Sequence, residues 1–166
     1  MSDSQPPTAN MSPSADSIVG DFSSKASWLS PGGGSPPTGL AGGAYTIGPM
    51  RGVISAESLA VQPGEIFVID YSVRLIKAPK NGKPAVYVVG PMFMDIGGKV
   101  LSWGAIEPAL TEQQRHSRVE VIPPAGAVRV WLYLGGLWAA EDPLPDGLLA
   151  YSRAALEVMK PSRPTI

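Results

Sequence analysis

The side chains best suited to chemistry in this sequence follow one another along a single predicted strand. Apolar residues alternate with Arg129, Trp131 and Tyr133 between positions 128 and 134, and alternate residues of a strand point to the same face. Aromatic rings beside a guanidinium are suited to stacking on sugar rings, and the same residue types are enriched in protein interfaces. Trp138 follows in a predicted loop and can extend this patch. Three interpretations stay open: cover by another strand or by the N-terminal segment, a subunit interface, or a glycan-binding site.

Residues that could support catalysis are scarce. His116 is the only histidine of the chain, which excludes a histidine-rich metal site and a relay between two imidazoles. It lies in a polar stretch that is typical of a solvated loop. Glu141, Asp142 and Asp146 lie in one proline-rich loop, and paired carboxylates can bind calcium or hydrolyse a glycoside. Because such loops are more commonly solvated connections, we expect no enzyme activity, no metal and no cofactor.

The strands that position these residues begin at Tyr45. Between Glu65 and Lys77 the residues at positions 67, 69, 71, 73 and 75 are all apolar or aromatic, while Asp70, Ser72 and Arg74 occupy the other face. This period of two is the pattern of a strand with one buried face. Further strands are predicted at 85–95, 100–103, 118–122, 127–134 and 148–159. Many short strands separated by turns predict an all-β fold, an antiparallel jelly-roll β-sandwich over residues 45–160. A short tail, 161–166, follows it.

The first 44 residues have a different composition. More than half of them are Ser, Pro or Gly, and a segment so poor in large side chains buries too little apolar surface to offset the entropy of ordering it. The sequence therefore predicts an extended N-terminal arm, residues 1–44, which other subunits of an assembly hold in place.

One stretch of the arm is richer in apolar residues. Asp16 and Ser17 can cap a short helix whose apolar residues recur at spacings of three and four. Such an amphipathic segment is suited to binding in a partner's groove, although a chance cluster in a flexible tail explains it equally well. The predicted partner-binding residues are Ile18, Val19, Phe22, Trp28 and Leu29.

Composition narrows the classes of partner. The chain has 166 residues, 13 Lys and Arg, 14 Asp and Glu, a net charge of −1 and no cysteine. This balance lacks the basic footprint of a nucleic-acid-binding protein, and no apolar run is long enough to span a membrane. The N-terminus also lacks the pattern of a secretory signal. We therefore expect partners that are proteins, with glycans as the alternative, and neither nucleic acid nor membrane.

Three short motifs resemble a known family. The residues at 61–65 resemble the entry to the central strands of jelly-roll carbohydrate-binding modules with a galactose-binding-like fold. Residues 93–98 resemble the strand and turn of those modules, and 124–130 resemble their valine-rich strand. Domains of this kind occur in secreted glycosidases and in bacteriophage tail, fibre and capsid proteins. The chain departs from the family at 149–153, where the last strand lacks the acidic pair that accompanies a structural calcium in some members.

Together, the arm and the resemblance predict a virion structural protein that decorates a capsid or is associated with a neck or tail. In this hypothesis the arm binds other virion proteins, and the sandwich projects or forms homo-oligomers. The alternative is a carbohydrate-binding module that recognises glycans on a host surface.

Overall fold

Thirteen β-strands make up most of the part of the chain that the computed structural model describes. That part consists of residues 17–20, 22, 27–30, 40–41, 44–47, 51–80, 84–107, 110–139 and 146–159. The strands are β1 (Ser17–Val19), β2 (Trp28–Leu29), β3 (Leu40–Ala41), β4 (Ala44–Ile47), β5 (Gly52–Ser55), β6 (Leu59–Ala60), β7 (Ile66–Lys77), β8 (Tyr87–Met94), β9 (Val100–Ser102), β10 (Ala105–Glu107), β11 (Arg115–Val121), β12 (Arg129–Leu137) and β13 (Leu148–Met159). The predicted tail, 161–166, lies outside the described residues. No helix within the described ranges has the length and apolarity needed to cross a membrane.

The strands form two antiparallel sheets that face each other. Sheet 1 has the order β11-β7-β13-β4-β3, and β1 also pairs with β13. Sheet 2 has the order β10-β8-β12-β5-β2, while β6 pairs with β12 and β9 pairs with β8. Strands adjacent in sequence therefore often belong to different sheets, as in a sandwich with crossover connections. The predicted antiparallel β-sandwich is confirmed.

The inward-facing positions predicted for the longest early strand are confirmed in β7, but the strand is not exposed on its other face, because every residue from Phe67 to Val73 is buried. Phe67, Tyr71 and Val73 are fully buried between the sheets, and Phe67 meets Phe93 of sheet 2 edge to face at 5.7 Å. The hydroxyls of Tyr71 and Tyr87 form a hydrogen bond of 3.0 Å across the core. These contacts join the two sheets through large side chains whose polar ends are satisfied, as buried phenols require.

Turn chemistry read from the sequence is also present in the structure. The Asp95 carboxylate accepts hydrogen bonds from the backbone N–H groups of Gly97 at 2.9 Å and Lys99 at 2.8 Å. Gly98 has a φ of 87°, a conformation that favours glycine. This tight connection, in which the aspartate holds the turn, joins β8 to β9.

Gly90 and Pro91 lie in the middle of β8. On one side, β8 pairs continuously with β12 from Met94 to Val89. On the other side, its described pairs with β9 end at Phe93 and those with β10 begin at Val89. Because proline cannot donate a ladder hydrogen bond, Pro91 is accommodated where the neighbouring strand changes from β9 to β10.

The helix predicted near the N-terminus is wrong for the described residues, because Ser17–Val19 and Trp28–Leu29 form β-strands. β1 pairs with β13, and Gly20 continues the ladder with a hydrogen bond of 2.8 Å from its N–H to the Ala154 carbonyl. β2 pairs with Ser55 and Ile54 of β5. β5, and the part of β13 beyond its pairing with β4, each have one side on which backbone groups can pair with an extended segment. These pairings outweigh a weak local preference for helix.

Trp28 is a core residue of the sandwich. Its side chain is only 2% exposed, and the ring of Phe22 stacks on it at 5.5 Å with an interplanar angle of 11°. A Cβ atom on Gly20 would lie 3.1 Å from the Trp28 ring and 2.9 Å from the Ala154 carbonyl oxygen. The absence of a side chain at Gly20 therefore lets the indole close this side of the sandwich.

Candidate functional site

The outer surface of sheet 2 carries the residues that the sequence singled out. Along β12, Val130, Leu132 and Leu134 are fully buried between the sheets. Trp131 and Tyr133 alternate with them on the outer face and remain partly exposed, and Arg129 is exposed. The predicted two-faced pattern of this strand is therefore confirmed.

Trp103 joins this group although sequence reasoning assigned it no role. Its ring meets the ring of Tyr133 edge to face, with centroids 5.7 Å apart and planes at 69°, and the residue is 45% exposed. Trp103 precedes Gly104, and a Cβ on Gly90 would lie 2.8 Å from the Gly104 Cα. Two glycines thus let this connection pass close over β8. The pair of a tryptophan and a glycine is visible in the sequence, but no neighbouring residue indicates that Trp103 contacts β12.

We call Arg129, Trp131, Tyr133 and Trp103 the aromatic face. Within it, Tyr133 covers two paired glycines, Gly52 and Gly135. A Cβ on Gly52 would lie 2.6 Å from the Tyr133 Cζ, and one on Gly135 would lie 3.0 Å from its Cε2. The ring therefore lies close against the sheet, and burial raises the pKa of its hydroxyl above the ordinary value. This packing fixes the orientation of Tyr133 and, through the ring contact, that of Trp103.

Arg129 provides the charge of the aromatic face. Its Nε donates a hydrogen bond of 2.9 Å to the Ser58 Oγ, which fixes the guanidinium plane. Since Nε is occupied, the two terminal nitrogens are the donors left to meet a ligand. Trp131 lies two residues further along the same face, a Cα spacing of about 6.6 Å. The Trp131 ring and the guanidinium donors of Arg129 are therefore separated by about the width of one sugar ring.

Trp138 lies beyond the aromatic face. β12 ends at Leu137, and the backbone N–H of Trp138 donates a hydrogen bond of 3.0 Å to the Val86 carbonyl oxygen. Trp138 lies five positions after Tyr133, a distance of about 16 Å along an extended chain. The structure therefore places Trp138 near the far end of β12, outside the ring pair of Trp103 and Tyr133.

The five predicted partner-binding residues of the arm divide into two groups. Ile18 and Trp28 belong to the core, and Phe22 packs against it. Val19 is 72% exposed and Leu29 is 46% exposed. Binding of the arm to another protein stays a prediction, and only Val19 and Leu29 present much apolar surface for it. The boundary after residue 44 also stays a prediction, although β1 and β2 precede it and pair with strands that follow it.

His116 lies in β11, so its predicted loop location is wrong. It forms a hydrogen bond of 2.7 Å with Asp70, which also accepts bonds from Arg118 at 3.2 Å and from Arg153 at 3.3 Å. Arg118 also contacts Glu157 at 3.4 Å. This polar cluster covers the outer face of sheet 1, where Asp70 and Ser72 were expected to be solvated and are buried instead. The two guanidinium groups pack over the Asp70 carboxylate, and Arg118 also pairs with Glu157. The charged groups of this cluster are therefore paired with one another.

Asp70 is expected to make stability depend on acid pH. Burial raises the pKa of its carboxyl, but the hydrogen bonds from His116, Arg118 and Arg153 outweigh this effect and hold the pKa below the ordinary value. A lowered folded-state pKa stabilises the protein above the unfolded-state pKa, and this contribution is lost as the pH falls through the folded-state value. In urea titrations between about pH 7 and about pH 2, we expect Asp70→Asn to lose less stability on acidification than the parent. Equal losses would contradict this role.

The acidic loop contributes a structural contact. Asp146 accepts a hydrogen bond of 3.0 Å from the Lys80 backbone N–H and lies 3.8 Å from the Lys77 Nζ. Glu141 and Asp142 lie outside the described residues. Among the described residues, no group of three or more His, Cys, Asp or Glu side chains is arranged to hold a metal ion.

Comparison with known proteins identifies structural neighbours only. No protein-family model matches the chain, and no curated protein is detectably similar to it in sequence. Among solved structures, the enzymatically active domain of tailspike protein 4 from bacteriophage CBA120 superposes with a TM-score of 0.54 at 12% identity, over 89% of this chain and 22% of that one. A carbohydrate-binding module of family CBM4 superposes with a TM-score of 0.51 at 18% identity, over 82% of this chain and 98% of that one.

These similarities establish a fold. The chain spans 22% of the tailspike domain but nearly the whole of the CBM4 module, so a single module is the unit that the two neighbours share with it. At such low identities the likeness concerns architecture and carries no residue roles. The chain therefore has the jelly-roll β-sandwich of carbohydrate-binding modules and of a phage tailspike domain, as its motifs predicted.

Proposed function

We propose that the chain is a carbohydrate-binding module whose aromatic face stacks on sugar rings of a glycan. The observation that carries this proposal is the partly exposed cluster of Trp103, Trp131 and Tyr133 on the outer surface of sheet 2, beside the fixed guanidinium of Arg129. The fold shared with a CBM4 module supports it. The sequence left three interpretations of this patch open, and among the described residues no strand or N-terminal segment covers it completely, because Trp131 and Tyr133 stay partly exposed.

The chemistry of the aromatic face matches that of a pyranose. The apolar faces of sugar rings pack against indole and phenol rings, while their hydroxyl groups need hydrogen-bond partners at the rim. Trp131 and Trp103 supply the apolar surface, and Arg129 supplies donors for hydroxyl or carboxylate oxygens. Because the side chains are held by β12 and by packing on glycines, little rotamer entropy is lost when a ligand binds.

Binding without catalysis is part of this proposal. Hydrolysis of a glycoside usually requires two carboxyl groups on either side of the scissile bond. The aromatic face contains no carboxylate, and Asp70, the buried acid of sheet 1, lies on the outer face of the opposite sheet and accepts hydrogen bonds from Arg118 and Arg153 beside His116. The residues of the aromatic face thus hold a sugar without the groups needed to cleave it.

A virion component is the second candidate, supported by the tailspike neighbour. In this role the N-terminal segment binds other virion proteins through the exposed side chains of Val19 and Leu29, and the sandwich forms a homo-oligomer. The two candidates are compatible, because a module on a virus particle can bind glycans of the host surface.

The proposed glycan binding can be tested on the unmodified chain. We expect saturable binding to a subset of oligosaccharides on a glycan array. We also expect the best of these ligands to change the intrinsic tryptophan fluorescence in solution, because Trp103 and Trp131 are partly exposed. Trp28 is buried and should not respond. An array without saturable binding, or binding with unchanged fluorescence, would exclude the aromatic face as the site.

A further inference from the structure

A second site of different chemistry lies between the sheets. On the side of the sandwich remote from Trp28, a cavity of about 110 Å³ opens between β10 and β11, the outermost strands of the two sheets on that side. The residues lining the cavity are apolar except for Ser102, Glu107 and the phenol of Tyr71.

The interior of the cavity is built to receive an apolar group. Ile69 of β7, Val89 of β8, and Val119 and Val121 of β11 form its walls. The sheets are held apart near this point by the hydrogen-bonded pair of Tyr71 and Tyr87. Apolar cavities of similar size, about 150 Å³, remain dry and bind benzene. The space therefore accepts a single six-membered ring and excludes a disaccharide.

The polar groups of the cavity define the rest of the ligand. The Tyr71 hydroxyl forms a hydrogen bond of 3.0 Å with the Tyr87 hydroxyl. The Tyr71 phenol is therefore already satisfied. Glu107 is the one charged residue of the lining and, like Ser102, it belongs to the strands at the rim and is partly exposed. A ring that enters from the rim would leave its substituent beside this carboxylate.

We propose that this cavity binds a small aromatic amine, with its ring between the Ile69 and Val119 pair of sheet 1 and Val89 of sheet 2, and its ammonium group beside Glu107. The proposal is independent of glycan binding, because none of the residues of the aromatic face lines the cavity. A carboxylate at the rim favours a cation over a neutral alcohol and disfavours an anion. For a partly exposed ion pair this preference corresponds to about a twofold to fivefold difference in Kd.

The test uses three single-ring probes: benzylamine, benzyl alcohol and benzoate. In NMR titrations of the full chain, we expect the methyl signals of Ile69, Val89, Val119 and Val121 to shift. Benzylamine should bind most tightly and benzoate least. Glu107→Gln should make the affinities of benzylamine and benzyl alcohol equal while leaving binding of the alcohol unchanged. Absence of shifts at these methyl groups with all three probes, or an unchanged order of affinities in Glu107→Gln, would overturn the proposal.

Two blocking variants complete the test. Val119→Phe fills the cavity from β11, and Ala105→Phe, at an exposed position of the lining on β10, obstructs the rim without adding bulk to the core. Either folded variant should abolish the methyl shifts, whereas Trp131→Ala should preserve them. If a folded blocking variant still binds benzylamine with the parent's affinity, the ligand occupies another place and the proposal is wrong.

Discussion

Replacement of Trp131 with alanine should abolish or strongly weaken glycan binding while leaving the fold intact. Its ring lies at the centre of the aromatic face, between Arg129 and Tyr133 on the same strand, and it is partly exposed. Truncation of a central aromatic residue in a binding surface typically costs about 2 kcal/mol or more, which is about 30-fold in Kd. Isothermal titration with the best oligosaccharide from the array measures this loss.

Trp138→Ala is the matched control, because it removes the same type of side chain seven positions, about 23 Å, further along the chain. We expect it to retain the affinity of the parent. Equal losses in both variants would extend the site to the end of β12, as the sequence alone allowed. Light scattering tests the remaining interpretation, in which the aromatic face is a subunit interface. That interpretation is correct if Trp131→Ala dissociates an oligomer and the parent shows no glycan binding.

Replacement of Trp28 with alanine should cost about 3–5 kcal/mol of unfolding free energy, as truncation of buried aromatic residues does. The indole is 2% exposed, stacks on Phe22 and fills the space above Gly20. Its loss leaves a cavity at the side of the sandwich and frees β2 from the core. Urea unfolding of the isolated chain measures the effect, without any partner present.

Leu29→Ala provides the control within the same two-residue strand. Leu29 points outward and is 46% exposed, so we expect a loss of about 1 kcal/mol or less. If the segment were an arm ordered only by other subunits, neither variant would change the stability of the isolated chain. The same reasoning implies that removal of residues 1–43 destabilises the sandwich, because β1 and β2 would be lost with them.

Local patterns in the sequence were sufficient for the longer strands from β7 onward and for the turn at Asp95, whereas the short strands β5, β6 and β10 were not predicted. The alternation along β7 and β12 gave the face of each side chain, because successive residues of a strand point in opposite directions. The turn at Asp95 was readable because aspartate and glycine stabilise it within a few residues. The final strand agrees with its predicted bounds, Leu148–Met159.

The segment around Trp28 shows where this reasoning failed. Its apolar residues are spaced so that a helix and two short strands explain them equally well, and its composition indicated no core of its own. The deciding contribution comes from β5 and β13, whose unpaired edges bind β2 and β1. β5 lies more than 20 residues from β2 in sequence, and β13 lies more than 100 residues from β1. No local pattern could therefore reveal these pairings.

The sequence by itself determined the β class, the turns, and the placing of Arg129, Trp131 and Tyr133 on one strand face, because these depend on neighbours in the chain. Only the tertiary structure brought Trp103 onto Tyr133, His116 and two arginines onto Asp70, and Trp28 into the core. Each of these depends on which strands pair. Hydrogen bonds between strands are alike for every sequence, so the partner is selected by packing of the whole sandwich and not by any local motif.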